Sequence, residues 1–197
     1  MKTLKNFGFN TSNPTYIIAE IGINHGGDLS LAKKLIISAA KTGADAVKFQ
    51  TYTTEFRAPK GNKKIFNILK KCELPMKNFE ILKNFSETIG IDFFSTPFDN
   101  ESADFLNSIG VNIFKIASFD TANIPLLKKL ASFKKTIIMS TGMTSEEELD
   151  YAYKLLKEQT ERIAILHCVS SYPLEEIYAN LNKIHKLKKK YDSVAGY

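Results

Sequence analysis

Three times along this chain a polar helical end runs into a glycine and then into a short apolar strand: KTGADAVKFQ at 41–50, ETIGIDFFST at 87–96 and NSIGVNIFKI at 107–116. A pattern that repeats is the part of a sequence least easily produced by chance. Gly43, Gly90 and Gly110 fit the left-handed position that closes a helix, where a side chain costs energy. Each repeat therefore reads as helix, tight turn and buried strand.

Extending the reading gives candidate strands at 16–20, 46–50, 92–95, 113–116, 136–140, 163–167 and 193–197, with helices between them. The stretch 29–42 places Leu31, Leu35 and Ala39 on one face behind an Asp28 N-cap. Asp99 is placed to cap a later helix, Asn123 precedes one with an early proline, and Ser145 with Glu148 forms a capping box before Leu149, Ala152 and Leu156. Strands that alternate strictly with crossover helices make a parallel α/β sheet. Such a sheet is either open and doubly wound or closed into a barrel.

The strand ends favour the barrel. Nearly every strand finishes in polar or charged residues: Glu20; Lys48 and Gln50; Ser95 and Thr96; Lys115 and Ser118; Ser140 and Thr141; His167. Buried parallel strands have no structural need for these groups, whereas a (β/α)8 TIM barrel gathers all its strand ends at the face that carries its active sites. Seven strand starts are present and the seventh meets the chain's end, so the expected fold is a TIM barrel truncated within or just after strand 7. The whole of residues 1–197 reads as one such incomplete catalytic domain. Its one long connection, 51–75, contains a short amphipathic piece around 65–69 and would overhang the active face as a lid or substrate loop.

Composition narrows the class. With 197 residues, 44% of them hydrophobic and 24% charged, the chain can bury a sizeable core. No window approaches the roughly 18 to 20 apolar residues of a membrane span, and the first ten residues lack the apolar run of a signal peptide, so a cytoplasmic protein without a membrane partner is expected. Cys72 and Cys168 have no metal-ligand spacing, which suits a reducing compartment. The net charge of +6 is almost all lysine, Arg57 and Arg162 being the only arginines, and the lysines are scattered, which argues against a nucleic-acid partner. A positive field of this kind would attract a phosphorylated substrate.

The converging residues make an anion site with an acid or base beside it. Lys48 and Lys115 supply compact positive charge, and Thr96, Ser118, Ser140 and Thr141 supply hydroxyl donors. Gln50 adds an amide, and Glu20, Asp120 and His167 add titrating groups. The same lysines would also serve a Schiff-base aldolase, in which a desolvated amine attacks a carbonyl.

Six strings in order then resemble the sialic acid synthase family, with its legionaminic and pseudaminic acid relatives: IIAEIGINHGGDLSLAKKLI (17–36), TGADAVKFQT (42–51), FFSTPFD (93–99), FKIASFD (114–120), IMSTGM (138–143) and LHCVSSYP (166–173). The resemblance covers nearly the whole chain from residue 16. It implies condensation of phosphoenolpyruvate with an N-acetylmannosamine-type amino-sugar aldehyde, giving a nonulosonic acid and phosphate. Carried over by position, Lys48, Thr96, Lys115, Ser118, Ser140 and Tyr172 are implied as phosphoenolpyruvate contacts. Gln50 and Tyr172 are implied for the sugar, and Glu20 for hydrogen bonding or proton transfer at the reacting carbon.

Departures from the family pattern bear on this assignment. Asp120 stands where the family commonly has glutamate, and Ser170 where sialic acid members often have asparagine, which weakens that implied phosphate contact. Phe119 is closer to the pseudaminic type, whereas EIGINHGG is closer to the sialic and legionaminic types. The family binds a divalent metal (Mn, Mg or Co) through two histidines beyond residue 197 and carries a C-terminal antifreeze-like domain that reaches into the partner's site in a homodimer. None of these lies in this chain, so it is expected to be inactive by itself. The remaining histidines are expected to serve otherwise: His25 in a turn, His167 as a buried hydrogen-bonded residue, His185 in solvent. The competing expectations are a catalytically dead interaction partner and a Schiff-base aldolase using Lys48 or Lys115.

Overall fold

A computed structural model describes residues 14–58, 60–160 and 162–197. The chain divides into two compact units, one running to Asn112 and the other from Ile113 to Tyr197.

The first unit holds β1 (Ile18–Gly22), α1 (Leu29–Lys41), β2 (Ala46–Thr51), α2 (Thr54–Arg57), α3 (Lys63–Cys72), α4 (Met76–Ile89), β3 (Asp92–Pro97) and α5 (Asn100–Ser108). β2 pairs in parallel with both β1 and β3, setting Glu20 opposite Lys48 and Gln50 opposite Thr96. Because side chains alternate along a strand, Val47, Phe49 and Thr51 face one side of the sheet and Lys48 and Gln50 the other. The first side is the core. Phe49 stacks on Phe93 at 5.4 Å and meets Phe79 of α4 edge-on at 6.5 Å. Burying each such ring contributes about 1.5–3 kcal/mol. Thr51 and Ser95 are also buried there and share a 2.7 Å hydrogen bond, so neither hydroxyl is left unmet.

The second unit repeats the plan with β4 (Ile113–Ile116), α6 (Ile124–Ser132), β5 (Thr136–Ser140), α7 (Glu146–Lys157), β6 (Ile163–Leu166), α8 (Asn182–Tyr191) and β7 (Val194–Gly196). β4, β5, β6 and β7 pair in that order, all parallel. Leu126, Leu127 and Leu130 of α6 and Leu149, Ala152 and Leu156 of α7 are buried.

The local chemistry follows the expected pattern. Gly43, Gly90 and Gly110 have φ of 84°, 82° and 80°. Asp28, Asp99 and Asn123 each accept backbone N–H bonds at a helix start, and Ser145 and Glu148 form the reciprocal box. Three details differ. β1 begins at Ile18 instead of residue 16: the Ile17 N–H donates to the Asp45 carboxylate at 2.8 Å instead of to a strand carbonyl. The buried stripe of α1 is Ala32, Ile36 and Ala39, with Leu31 exposed. A helical side chain leans back over the preceding turn, which moves the covered stripe by one position. Finally, the connection 51–75 contains two helices, α2 and α3, rather than one short amphipathic piece.

Candidate functional site

In the first unit, register alone brings a cluster together. Lys48 is 7% exposed and sits mid-strand on the face opposite the Phe49 core. Its Nζ donates to Thr96 Oγ1 at 2.9 Å and lies 3.0 Å from Glu20 Oε2, while the Glu20 side chain stays half exposed. Burial pulls the Lys48 ammonium below the usual lysine range, and the Glu20 carboxylate pushes it back up. A cation this deep persists because its charge is answered by a carboxylate and a hydroxyl. Gln50 occupies the same file two residues on, at the Thr96 register position.

The helices after β2 cover the strand end and are fastened to the body. The Tyr52 hydroxyl donates to Leu69 O at 3.0 Å, and both the backbone N–H and the hydroxyl of Thr54 donate to Glu73 Oε2. Tyr52, Ala58 and Leu69 form a small apolar core with Ile23, Phe66 and Phe98. The turn after β1 supports this region. Gly27 has φ +83°, and a Cβ placed there would stand 2.5 Å from Lys71 O at the end of α3. His25 takes the turn role expected of it: buried, with Nδ1 accepting from Gly27 N at 3.1 Å. Its Nε2 has no hydrogen-bond partner among the described residues, and burial lowers its pKa.

In the second unit a turn network does the organising. Lys115, 9% exposed, donates to Ile116 O at 2.8 Å and to the Ser140 hydroxyl, and the Cys168 thiol donates to the same hydroxyl at 3.2 Å. Ser118 opens a 3-10 turn over Ser118–Asp120. Its hydroxyl accepts from Gly142 N at 2.9 Å, and its carbonyl accepts from the hydroxyls of Thr121 and Thr144 at 2.7 and 3.1 Å. Those two threonine oxygens also lie 2.8 Å apart, and with one hydrogen each the pair makes two of these three bonds at a time. Asp120 is buried, with Oδ1 accepting from Asn123 Nδ2 at 3.2 Å.

The other expected residues fall outside these clusters. The Thr141 hydroxyl donates to Leu166 O at 3.1 Å and so ties two strands together. His167 is buried with Nε2 2.8 Å from Ala179 O, and His185 is exposed on α8. Ser170 is exposed, its hydroxyl close to Gly142, where an added Cβ would lie 2.8 Å away. Tyr172 is 95% exposed on the segment after β6. Thr121 and Thr144 went unnoticed in the sequence, since a threonine in a turn carries no mark of what its hydroxyl will reach.

Among the described residues no group of three histidine, cysteine or acidic side chains is arranged to hold a metal ion. No described helix is long and apolar enough to cross a membrane.

Comparison with known proteins supplies the context for these clusters. N,N'-diacetyllegionaminic acid synthase of Campylobacter jejuni is 41% identical over 199 residues, covering 93% of this chain and 60% of that protein. N-acetylneuraminate-9-phosphate synthase of Mus musculus is 33% identical, covering 94% and 55%. The crystal structure of an N-acetylneuraminic acid synthetase from Leptospira borgpetersenii superposes with a TM-score of 0.90 at 46% identity, covering 94% of this chain and 65% of that one. The chain thus spans a little over half the length of the curated relatives it matches. Its fold class is that of the TIM barrels. The NeuB family model matches residues 35–197, and by that match and these likenesses the chain belongs to the NeuB family.

Proposed function

We propose that this chain carries the phosphoenolpyruvate-binding part of a nonulosonic acid synthase, which joins phosphoenolpyruvate to an N-acetylmannosamine-type amino sugar and releases phosphate. The observation that carries the proposal is the state of the two buried lysines. Lys48 is committed to Glu20 and Thr96, and Lys115 to Ile116 O and Ser140. Ammonium groups held as donors beside hydroxyls suit a bound carboxylate or phosphate, which can take over one of those hydrogen bonds. A Schiff-base lysine needs a free amine lone pair; at Lys48 burial favours that neutral form and the Glu20 carboxylate favours the charged one.

In the reaction, C3 of phosphoenolpyruvate forms a bond to the aldehyde carbon of the open-chain sugar, and the aldehyde oxygen takes a proton. Water adds at C2, and collapse of that tetrahedral centre breaks the C–O bond and frees phosphate. Lys48, Thr96, Lys115, Ser118 and Ser140 are assigned to the phosphoenolpyruvate charges, with Ser170 a weaker phosphate contact. They would also stabilise the negative charge that builds on the phosphate as it leaves. Glu20, half exposed beside Lys48, is assigned to proton transfer and Gln50 to the sugar. Asp120 is assigned a second acid or base role, and Tyr172 would reach both substrates from its exposed segment. The divalent metal implied by the family has no fitting ligand group among the described residues. A homodimer is the expected assembly of the full-length enzyme.

Isothermal titration of the chain with phosphoenolpyruvate tests the reading. Lys48→Met and Lys115→Met should each weaken binding by at least about thirtyfold, as expected when one partner of a buried charge pair is removed. A wild-type chain that binds no phosphoenolpyruvate would favour the dead interaction partner. A borohydride-trapped pyruvate adduct on Lys48 or Lys115 would favour the aldolase.

A further inference from the structure

Strand alternation extends the Lys48 file beyond the ends of the ladder. Tyr52 follows Lys48 and Gln50 at the same parity, and Phe98 follows Thr96. The two rings meet edge-on at 6.3 Å, and Phe98 N donates to Thr51 O at 3.1 Å, so the rings close the upper end of the file. Arg57, the last residue of α2, lies over them. Its guanidinium carbon stands 3.3 Å from the Phe98 ring centroid and 5.7 Å from that of Tyr52. Two residues of strand separate Thr96 from Phe98, a rise of about 7 Å. The Arg57 charge is close enough to oppose protonation of Lys48.

The choice of residue matters. In a chain whose 27 basic residues include only two arginines, one of them is stacked on an aromatic floor beside the buried lysine. Lysine would supply the same charge, but only arginine offers a planar fork of donors that stacking holds in a fixed plane.

We propose that Arg57 is an anion-recognition residue, its stacked guanidinium presenting a bidentate fork to a carboxylate or phosphate of the substrate that Lys48 holds. The inference deepens the phosphoenolpyruvate reading and rests on it. Two substrates could carry the anion, phosphoenolpyruvate itself or a phosphorylated amino sugar, and the fork suits either.

The test titrates the chain with phosphoenolpyruvate, inorganic phosphate, a hexosamine 6-phosphate and the uncharged amino sugar, with urea midpoints to confirm folding. Arg57→Gln should weaken an anionic ligand by about tenfold or more, and Arg57→Lys by less, because charge survives but the fork does not. The uncharged sugar should be unaffected, as should every ligand in Arg162→Gln. Weakening of phosphoenolpyruvate and phosphate assigns the fork to phosphoenolpyruvate, whereas weakening of the hexosamine phosphate alone assigns it to the sugar. Should Arg57→Gln fail to fold, Arg57→Lys decides: weaker anion binding at an unchanged urea midpoint supports the proposal, and wild-type affinity for all three anions overturns it. Equal losses for charged and uncharged ligands also overturn it, since they mark a clamp on α2 and nothing more. If Lys48→Met loses phosphoenolpyruvate while Arg57→Gln retains every anion, this inference alone fails. If the wild type binds no anion, the underlying reading fails with it.

Discussion

Each of the two units holds, among the described residues, a buried lysine that meets a hydroxyl of the next strand, yet what surrounds that bond differs between them. Around Lys48 the partners come from neighbouring strands, Glu20 directly opposite on β1 and Thr96 two positions past the register partner on β3. Lys115 likewise meets a residue of the neighbouring strand, Ser140 of β5, but the strand ends beside it run into turns that are tied to one another: the Ser118 turn, the Gly142 turn and the threonine pair that joins them. A site carried on strands inherits the stiffness of the sheet. A site carried on turns is only as stiff as its hydrogen-bond network.

The largest effect that bears on this contrast is expected at Gly27. Alanine there needs a positive φ and puts Cβ 2.5 Å from a backbone oxygen of α3, so Gly27→Ala should cost about 3 kcal/mol or more in urea unfolding. Gly142→Ala in the second unit meets the Ser170 hydroxyl first, which can turn aside, and Cys168 at 3.1 Å. Its cost should be about 1–2 kcal/mol. Equal costs would mean that the α3 backbone yields to the new methyl as readily as the Ser170 side chain does.

Next in size is the threonine pair. Thr121→Val and Thr144→Val should each destabilise the second unit, and the double mutant should cost less than their sum by about 0.5–1 kcal/mol, because the two hydroxyls share one bond and one acceptor. A strictly additive double mutant would mean that the Ser118 turn does not depend on this network.

The smallest effects are pH slopes, and they set two similar bonds against each other. Tyr16 donates to Asp92 and Tyr191 to Asp150, both at 2.5 Å. Burial holds Asp92 above the usual carboxylate range although Tyr16 pulls it down, whereas the Lys190 bond holds the exposed Asp150 below that range. For Asp92 the folded state binds its proton more readily than the unfolded chain. Its contribution is therefore complete below a pH of about 4 and lost as pH rises through the raised folded value. For Asp150 the contribution is present above about pH 4 and lost as pH falls through the lowered value. Urea midpoints from pH 3 to 6 should show Asp92→Asn removing a downward slope and Asp150→Asn removing an upward one. Tyr191, pushed up to about 12 by burial and by Asp150, should stay protonated throughout that range.

The same contrast explains what could be read from residues alone. Lys48, Gln50 and Thr96 were legible because period-two alternation and the glycine-closed repeats fix which side chains share a face and which strand ends line up. The caps at Asp28, Asp99, Asn123 and Ser145 were legible because each is a local signal. Within 51–75 the amphipathic piece at 65–69 was legible and lies in α3, but α2 and the full extent of α3 were not, since they pack against a small core that includes residues distant in sequence, Ile23 and Phe98 among them. Nor was the Thr121–Thr144 network, in which residues 23 apart meet only because two turns do. Arg57 was visible as a rare arginine, but its aromatic floor needed coordinates.

The central claim is that the polar strand ends bind a phosphorylated three-carbon acid specifically, beyond the attraction of a net charge of +6. Backbone amide NMR of the isotopically labelled chain, titrated with phosphoenolpyruvate, tests it most directly. The account predicts saturable shifts concentrated at Lys48, Gln50, Thr96, Lys115, Ser118 and Ser140, with the lysine-rich α8 unmoved. Shifts confined to Lys183, Lys186, Lys188 and Lys189 of α8, or rising linearly without saturation across the surface, would contradict it.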